Sequence, residues 1–274
     1  MTTPGRPTEA NGLDLVRQIA VISALVFMLI AAMVGVGVFG GTPIAEAQGG
    51  ALAADATLLA PATPAFSIWS VIYVGLAAYT IWQALPAQRP SPRQRSMGWW
   101  IALSMMLNGL WIVTVQVFTL WGTTLAIFVL LAALCVAFQR AVATRMPRGG
   151  ILDSLLIDGV TGLHLGWVAV ASVANVAAWL TAIGPTEWAD YSRAWGIAVL
   201  VVVAVIGLAI AWASGWRVAP GLALGWGLVW IAVGRLVDQP RSEWIGIAAI
   251  IAAVVVVGGP LAVAGLRSLR PAGD

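Results

Sequence analysis

The chain has no lysine: all fourteen of its basic residues are arginine. A retinal Schiff base or a pyridoxal phosphate site needs a lysine amine, so both are excluded. A phosphate-binding P-loop with its usual lysine is absent as well. Cys135 is the one cysteine, which rules out an intramolecular disulfide and any multi-cysteine metal site. His164 is the one histidine, so a His/Cys metal cluster cannot be built and no metal site is expected. Nor does a catalytic set form around it, because Ser172 and Ser104 have no third member to complete a nucleophile-and-base arrangement. Charge itself is scarce. Only 9% of the 274 residues are charged and 61% are hydrophobic, with a mean hydropathy of +0.94. Soluble domains carry about 25% charged residues, so the composition implies a multi-span membrane protein whose first partner is the lipid bilayer. The net charge of +3 and pI near 9.7 then read as arginines in cytoplasmic loops, and no nucleic-acid partner is expected.

Apolar segments long enough to cross a hydrocarbon core of roughly 30 Å recur along the chain. They lie near residues 15–39, 64–86, 99–118, 123–139, 155–182, 195–213, 219–233 and 244–266. The seventh is short and glycine-rich, which leaves seven spans as the alternative to eight. A polar, proline-containing N-terminus (residues 1–14) is expected to be disordered, and residues 267–274 form a short tail. Ala45-Glu46-Ala47 resembles a signal-cleavage site, but the apolar run before it is too long for a signal peptide. Residues 40–63 form a long Gly/Ala/Pro-rich loop, readable either as a lid or as a flexible connector. Leu120-Trp121-Gly122 is expected to be a tight turn. With eight spans and the N-terminus inside, one side of the membrane receives Arg6, Arg17, Arg89, Arg93, Arg95, Arg140, Arg145, Arg148, Arg217, Arg267 and Arg270. The other receives Arg193, Arg235 and Arg241. That asymmetry places both termini in the cytoplasm of a cell whose inner membrane holds the protein.

Polar residues inside apolar helices are costly and tend to face a partner helix or an enclosed cavity. The fifth span carries His164, Val168, Ala171 and Asn175 at the i, i+4, i+7, i+11 spacing of one helical stripe, with Trp167 beside it. The third span holds Asn108 and Trp111. Of fifteen tryptophans, Trp99, Trp100, Trp121, Trp188, Trp195, Trp212, Trp216 and Trp244 fall near span ends, where indole rings favour the headgroup level. Trp69, Trp111, Trp167, Trp226 and Trp230 sit deeper. Indole faces suit flat ligands and indole N–H groups want acceptors, so Trp69, Trp111 and Trp167 with Asn108 and Asn175 are read as the wall of a pocket. His164 has two readings, a hydrogen-bonding group between helices or an axial ligand to haem iron. Asp153 and Asp158, at the start of the fifth span, complement its helix dipole and are expected to pair with Arg145 or Arg148. Gly37-x-x-x-Gly41, Gly162-x-x-x-Gly166 and Gly221-x-x-x-Gly225 permit close helix contacts and suit a homodimer.

Three of these stretches resemble a known family. Pro64-Ala65-Phe66-Ser67-Ile68-Trp69-Ser70-Val71-Ile72-Tyr73 is similar to the start of the second helix in the TspO/MBR family of tryptophan-rich sensory proteins, relatives of the mitochondrial translocator protein. Leu107-Asn108-Gly109-Leu110-Trp111 resembles that family's Leu-Asn-x-x-Trp. Trp167, Ala171 and Asn175 match the spacing in its fifth helix, and the long loop after the first helix also has a counterpart. The likeness runs from about Leu15 to Thr181. It departs from the family where Leu163 and His164 replace a Pro-Tyr pair, in the shorter Phe66-to-Trp69 spacing, and in three further spans at the C-terminal end. The resemblance implies an all-α, polytopic membrane bundle with a five-helix core over residues 15–182 and about three additional transmembrane helices over residues 194–266. It also implies a pocket for a hydrophobic small molecule, a porphyrin or sterol-like compound, with Trp69, Tyr73, Asn108, Trp111, Trp167, Ala171 and Asn175 on its wall. His164 is this chain's own addition to that set. No cofactor is required for such a role, although bound porphyrin or haem is compatible with it. A sensory or regulatory binding protein is the leading expectation, and a small-molecule transporter is the alternative.

Overall fold

The structure, a computed structural model, describes residues 9–145 and 150–269. Arg6, Arg148 and Arg270 lie outside the described residues, as do most of the N-terminal segment and the end of the tail.

Eight described helices are long and apolar enough to cross a membrane, which decides between seven and eight spans. They are α1 (Gly12–Gly35), α2 (Ile68–Ala84), α3 (Pro92–Val117), α4 (Leu120–Ala143), α5 (Ile151–Ile183), α6 (Ser192–Ala213), α7 (Ala219–Leu236) and α8 (Glu243–Ser268). Among the described residues the regular structure is helical throughout.

Local chemistry sets several ends. Asn11 and Asp14 form a reciprocal capping box, each side chain accepting the other's backbone N–H at 3.1 and 3.0 Å, so α1 starts at Gly12. Pro92 begins α3 at a position where its missing N–H costs nothing, and Ser91 caps it. Two expectations are corrected here. Leu120-Trp121-Gly122 is the first turn of α4 rather than a turn, the reversal being made by Phe118 and Thr119 in extended conformation. Gly37-x-x-x-Gly41 is not a helix-packing motif, because α1 has already ended and Gly37 and Gly40 stand at φ 81° and 79°. Only glycine holds that left-handed backbone without strain.

Packing runs round the bundle from α1 to α3, α4, α5, α7, α8 and α6, with α2 against α1 and α5. The buried core falls into three clusters, and α5 contributes to all of them. Val160 and Trp167 pack with Val21, Ile72 and Met105; Leu165 and Val168 with Trp111, Ile127 and Leu130; Val170 with Leu200, Leu228 and Val256. The other two glycine motifs serve contacts within the chain. A Cβ on Gly162 would lie 2.8 Å from the Ala219 Cβ, and one on Gly166 would collide with the Pro220 carbonyl, so α7 rides directly on α5. Gly221 in the same way gives room to the Val256 carbonyl of α8.

The two ends of the bundle differ. One holds a buried ion network in which Arg93 of α3 donates to Asp158 at 2.6 Å and to Asp153, both of α5. Arg217 and Arg145 approach the second Asp158 oxygen at 3.4 and 3.6 Å. Arg93 is therefore the principal partner of these carboxylates, with Arg145 secondary. The reason is that α5 starts at Ile151 and takes a wider π turn over Ser154–Gly159, which carries Asp158 inside the bundle instead of leaving it in an exposed first turn. At the same end Asp14 binds Arg17 and Arg95. The opposite end carries the long loop between α1 and α2.

Candidate functional site: a tryptophan-lined cavity under the first loop

Residues 36–62 fold over the end of the bundle and are tied down at several points. Gln48 stands at φ 55° beside two left-handed glycines, an arrangement that turns its side chain back onto α3. There its Nε2 donates to the Val115 carbonyl at 2.8 Å and to the Phe118 carbonyl. Gln116 donates in return to the Thr42 carbonyl at 2.9 Å. The far half of the loop is gripped by α7. Arg235 donates to the Thr57 carbonyl at 2.8 Å and the Ala54 carbonyl at 3.0 Å. The Ala62 N–H donates to the Trp230 carbonyl at 3.1 Å, and the Trp226 indole N–H to the Ala65 carbonyl at 2.9 Å. Of the two readings of this segment, the packed cover is the one observed.

Beneath the cover lies a cavity of about 40 Å³. Its roof is Ile44, Ala51, Leu52, Ala53, Thr57, Ala60 and Pro61; its walls are Phe66 and Trp69 at the start of α2, Trp111 of α3, and Trp167, Ala171, Ala174 and Asn175 of α5. Five residues singled out from sequence, Trp69, Trp111, Trp167, Ala171 and Asn175, thus meet at one space. They do so because α3 and α5 each present a tryptophan at the depth where α2 begins. The rings form an edge-to-face set: Trp69 to Trp167 at 6.0 Å between centroids and Phe66 to Trp167 at 5.8 Å. Such geometry is the favoured one for aromatic pairs.

The other three candidates stand one layer deeper. The Tyr73 hydroxyl donates to Asn108 Oδ1 at 3.1 Å, the Trp69 and Tyr73 rings lie 5.3 Å apart, and the His164 ring meets Trp69 edge to face at 6.0 Å. None of the three lines the cavity: Tyr73 and His164 pack on Trp69, which does, and Asn108 is bonded to Tyr73. His164 is 1% exposed. Among the described residues no cluster of three or more histidine, cysteine or acidic side chains could hold a metal ion.

Polar atoms here are unusually short of partners. Trp111 Nε1, Trp167 Nε1 and Asn175 Oδ1 around the cavity are buried without a hydrogen bond, as are Asn108 Nδ2 and both His164 ring nitrogens below it. Native interiors pair about nine in ten such groups once ordered water is counted, so this is a place where water or the polar atoms of a ligand would find partners. Asn175 uses its amide N–H on the Ala171 carbonyl at 2.9 Å, which leaves its oxygen free.

Two contributors escaped the sequence reading. Thr57 carries no signal in the sequence, yet it is a roof residue whose Oγ1 is buried and unpaired. Arg235 was counted as an outer-loop arginine but is fully buried inside α7, with backbone carbonyls as its acceptors. The available signal is its position on the glycine-rich span, in helical register with Leu228 and Ile231, both of which are buried.

No curated protein and no solved structure matches the chain. A sequence model of a family described as TSPO-like protein matches residues 18–261, from the first span into the eighth, so the match takes in α6, α7 and α8 as well as the five helices of the expected core. The chain is a multi-pass membrane protein that belongs to the TSPO-like protein family.

Proposed function

We propose that the protein binds a planar apolar molecule, a tetrapyrrole or a sterol-like compound, in the tryptophan-lined cavity, and that it serves in sensing or regulation. The observation that carries this reading is the group of unpaired polar atoms, Trp111 Nε1, Trp167 Nε1 and Asn175 Oδ1, around a space otherwise walled by aromatic and small apolar side chains. Ligand sites have that make-up: a mostly apolar surface with a few placed polar groups. An orphaned buried donor or acceptor costs about 1–3 kcal/mol, which a ligand's own polar edge would recover.

A space of about 40 Å³ holds only a water or two, whereas ligand pockets run to roughly 300–1,000 Å³. The closed form therefore does not fit a porphyrin, and binding requires the loop to lift and the rings to part. Haem would find in His164 two free ring nitrogens, but that ring packs on Trp69 and does not line the cavity, so iron ligation further requires that indole to swing aside.

The test is a titration of purified protein with protoporphyrin IX and with haem, following the Soret band in wild type, Trp111→Phe and His164→Ala. Saturable binding that weakens two- to tenfold in Trp111→Phe is expected from the loss of one hydrogen bond. A haem Soret shift lost only in His164→Ala would add ligation. Unchanged affinity in Trp111→Phe would move the site elsewhere.

Orientation completes the proposal. Among the described residues Arg17, Arg89, Arg93, Arg95, Arg140, Arg145, Arg217 and Arg267 gather at one end of the bundle, and Arg193, Arg235 and Arg241 at the other. The arginine-rich end with both termini belongs in the cytoplasm, which puts the covering loop on the outer face of the cell membrane.

A further inference from the structure

A second space adjoins the first. Although α5 and α6 are consecutive, α5 packs on α4 and α7 while α6 packs on α8 and α7. The gap left between them is a groove of about 1,070 Å³, floored by Leu224 of α7 and flanked by α4. Its α5 wall extends from Ala169 to Gly184, about 22 Å at 1.5 Å per residue. Along the bundle the groove is bordered by exposed apolar residues such as Phe128 and Ile206, which face the bilayer, and at the covered end it reaches the α5–α6 connection at Thr186 and Trp188. No charged side chain lines it, so it offers no ion pair to a headgroup or to an anion. Its volume stands at the upper limit for a small-molecule site.

What separates groove from cavity is one stretch of the covering loop. Thr57 lines both spaces, Ala53 and Ala60 belong to the cavity side, and Ala56, Leu58 and Leu59 to the groove side. The unpaired Thr57 Oγ1 sits in this partition, and its carbonyl is one of the two that Arg235 holds. Among the described residues the side chain that fastens this partition to the helices is Arg235, on the α7 side, and the Thr57 hydroxyl is left to meet a passing polar group.

We propose that the groove is a bilayer-facing entry site for an uncharged, flat apolar molecule, which passes from lipid into the tryptophan cavity when the 54–59 stretch moves off Arg235. This rests on the cavity being a ligand site, and it assigns to α6 and α7 a role in that site: α6 makes the outer wall of the entry and α7 holds its gate.

The experiment uses full-length protein in phosphatidylcholine nanodiscs, mixed with vesicles preloaded with protoporphyrin IX dimethyl ester, and follows the porphyrin's own fluorescence. Val199→Trp on α6 and Val173→Trp on α5 each narrow the groove at a position that lines it and does not line the cavity. The expected result is a tenfold or greater fall in both association and dissociation rates, with the equilibrium Kd within twofold of wild type. Arg235→Gln should instead quicken both rates. Unchanged rates in both tryptophan variants would overturn the entry site while leaving the cavity reading intact. A weakened Kd with unchanged association would overturn it too, since the groove would then be the resting site itself. Loss of a wild-type dimer in the same variants would show the groove filled by a second copy, with the same consequence. If wild type binds the free acid but not the ester, the uncharged class is wrong and the proposal falls. If wild type binds neither, the cavity reading fails first and the entry site with it.

Discussion

Asn175 shows how a polar side chain can be placed for something other than stability. One of its amide hydrogens is used within the helix, while its oxygen, 3% exposed as a residue, has no partner. An apolar replacement of similar size removes that orphan, so Asn175→Leu is expected to leave the thermal unfolding midpoint in detergent unchanged or slightly raised. Porphyrin affinity should fall in the same variant by two- to tenfold, the worth of one hydrogen bond. A marked drop in the midpoint would mean that the amide is structural. Trp111 and Trp167 follow the same logic, because their indole N–H groups are buried and unpaired while their rings fill core positions. His164 differs: its ring packs on Trp69 away from the cavity, and its part in binding depends on that indole moving.

At the scale of elements the covering loop and α7 act together. Arg235 is 0% exposed and, among the described residues, makes no salt bridge; its hydrogen-bond acceptors are the carbonyls of Thr57, Ala54 and Gln239, with the Asp238 and Asp55 carboxylates in its neighbourhood. A buried charge on those terms is costly to keep, and its evident return is the fastening of the loop. Removing it strands the Ala54 carbonyl, at about 1–3 kcal/mol if that group stays buried, and leaves the Thr57 carbonyl with only the Ala60 N–H at 3.3 Å. Arg235→Ala should therefore lose hydrogen-exchange protection at Ala54–Thr57 while the protection of α3 and α5 is retained. Arg235→Lys should restore only part of it, since an ammonium lacks the planar fork that spans two carbonyls. Equal loss throughout the bundle would make Arg235 a core residue and not a fastening. The glycine contacts that seat α7 on α5 place this arginine within reach of the loop, which joins a packing motif to the cover above the cavity.

For the whole molecule, the division between a basic end and a covered end is the largest electrostatic feature. Asp158 is shared by Arg93, Arg145 and Arg217, which come from α3, the α4–α5 connection and the α6–α7 connection, so one carboxylate joins the early and late spans. Breaking a buried pair of this kind typically costs about 3–5 kcal/mol because it leaves a charge uncompensated. Orientation is open to a direct measurement. In a Cys135→Ser background, Gly150→Cys should react with a membrane-impermeant maleimide only after cells are opened, and Thr186→Cys in intact cells. The reverse pattern would invert the assignment.

Much of this was legible in the residues themselves. Composition and run length determined the membrane class and narrowed the spans to seven or eight, because a helix that crosses hydrocarbon satisfies its own backbone and needs a minimum apolar length. Three short motifs brought out the family; Trp69, Trp111, Trp167 and Asn175 could be named because polar and aromatic groups stand out against an apolar background, and Ala171 because it matches the spacing of the family's fifth helix. The tertiary structure alone decided which of the eight candidates border the cavity, since Tyr73, Asn108 and His164 share helices with the wall residues but do not line it, Tyr73 and His164 packing on Trp69 and Asn108 bonding to Tyr73. It also decided that the Gly162 and Gly221 motifs join spans of the same chain, that Arg93 serves Asp158, and that Arg235 faces inward to hold the loop. Each of these depends on which helix lies beside which. In an apolar chain that order is set by the sum of many small contacts, which no single stretch of sequence carries.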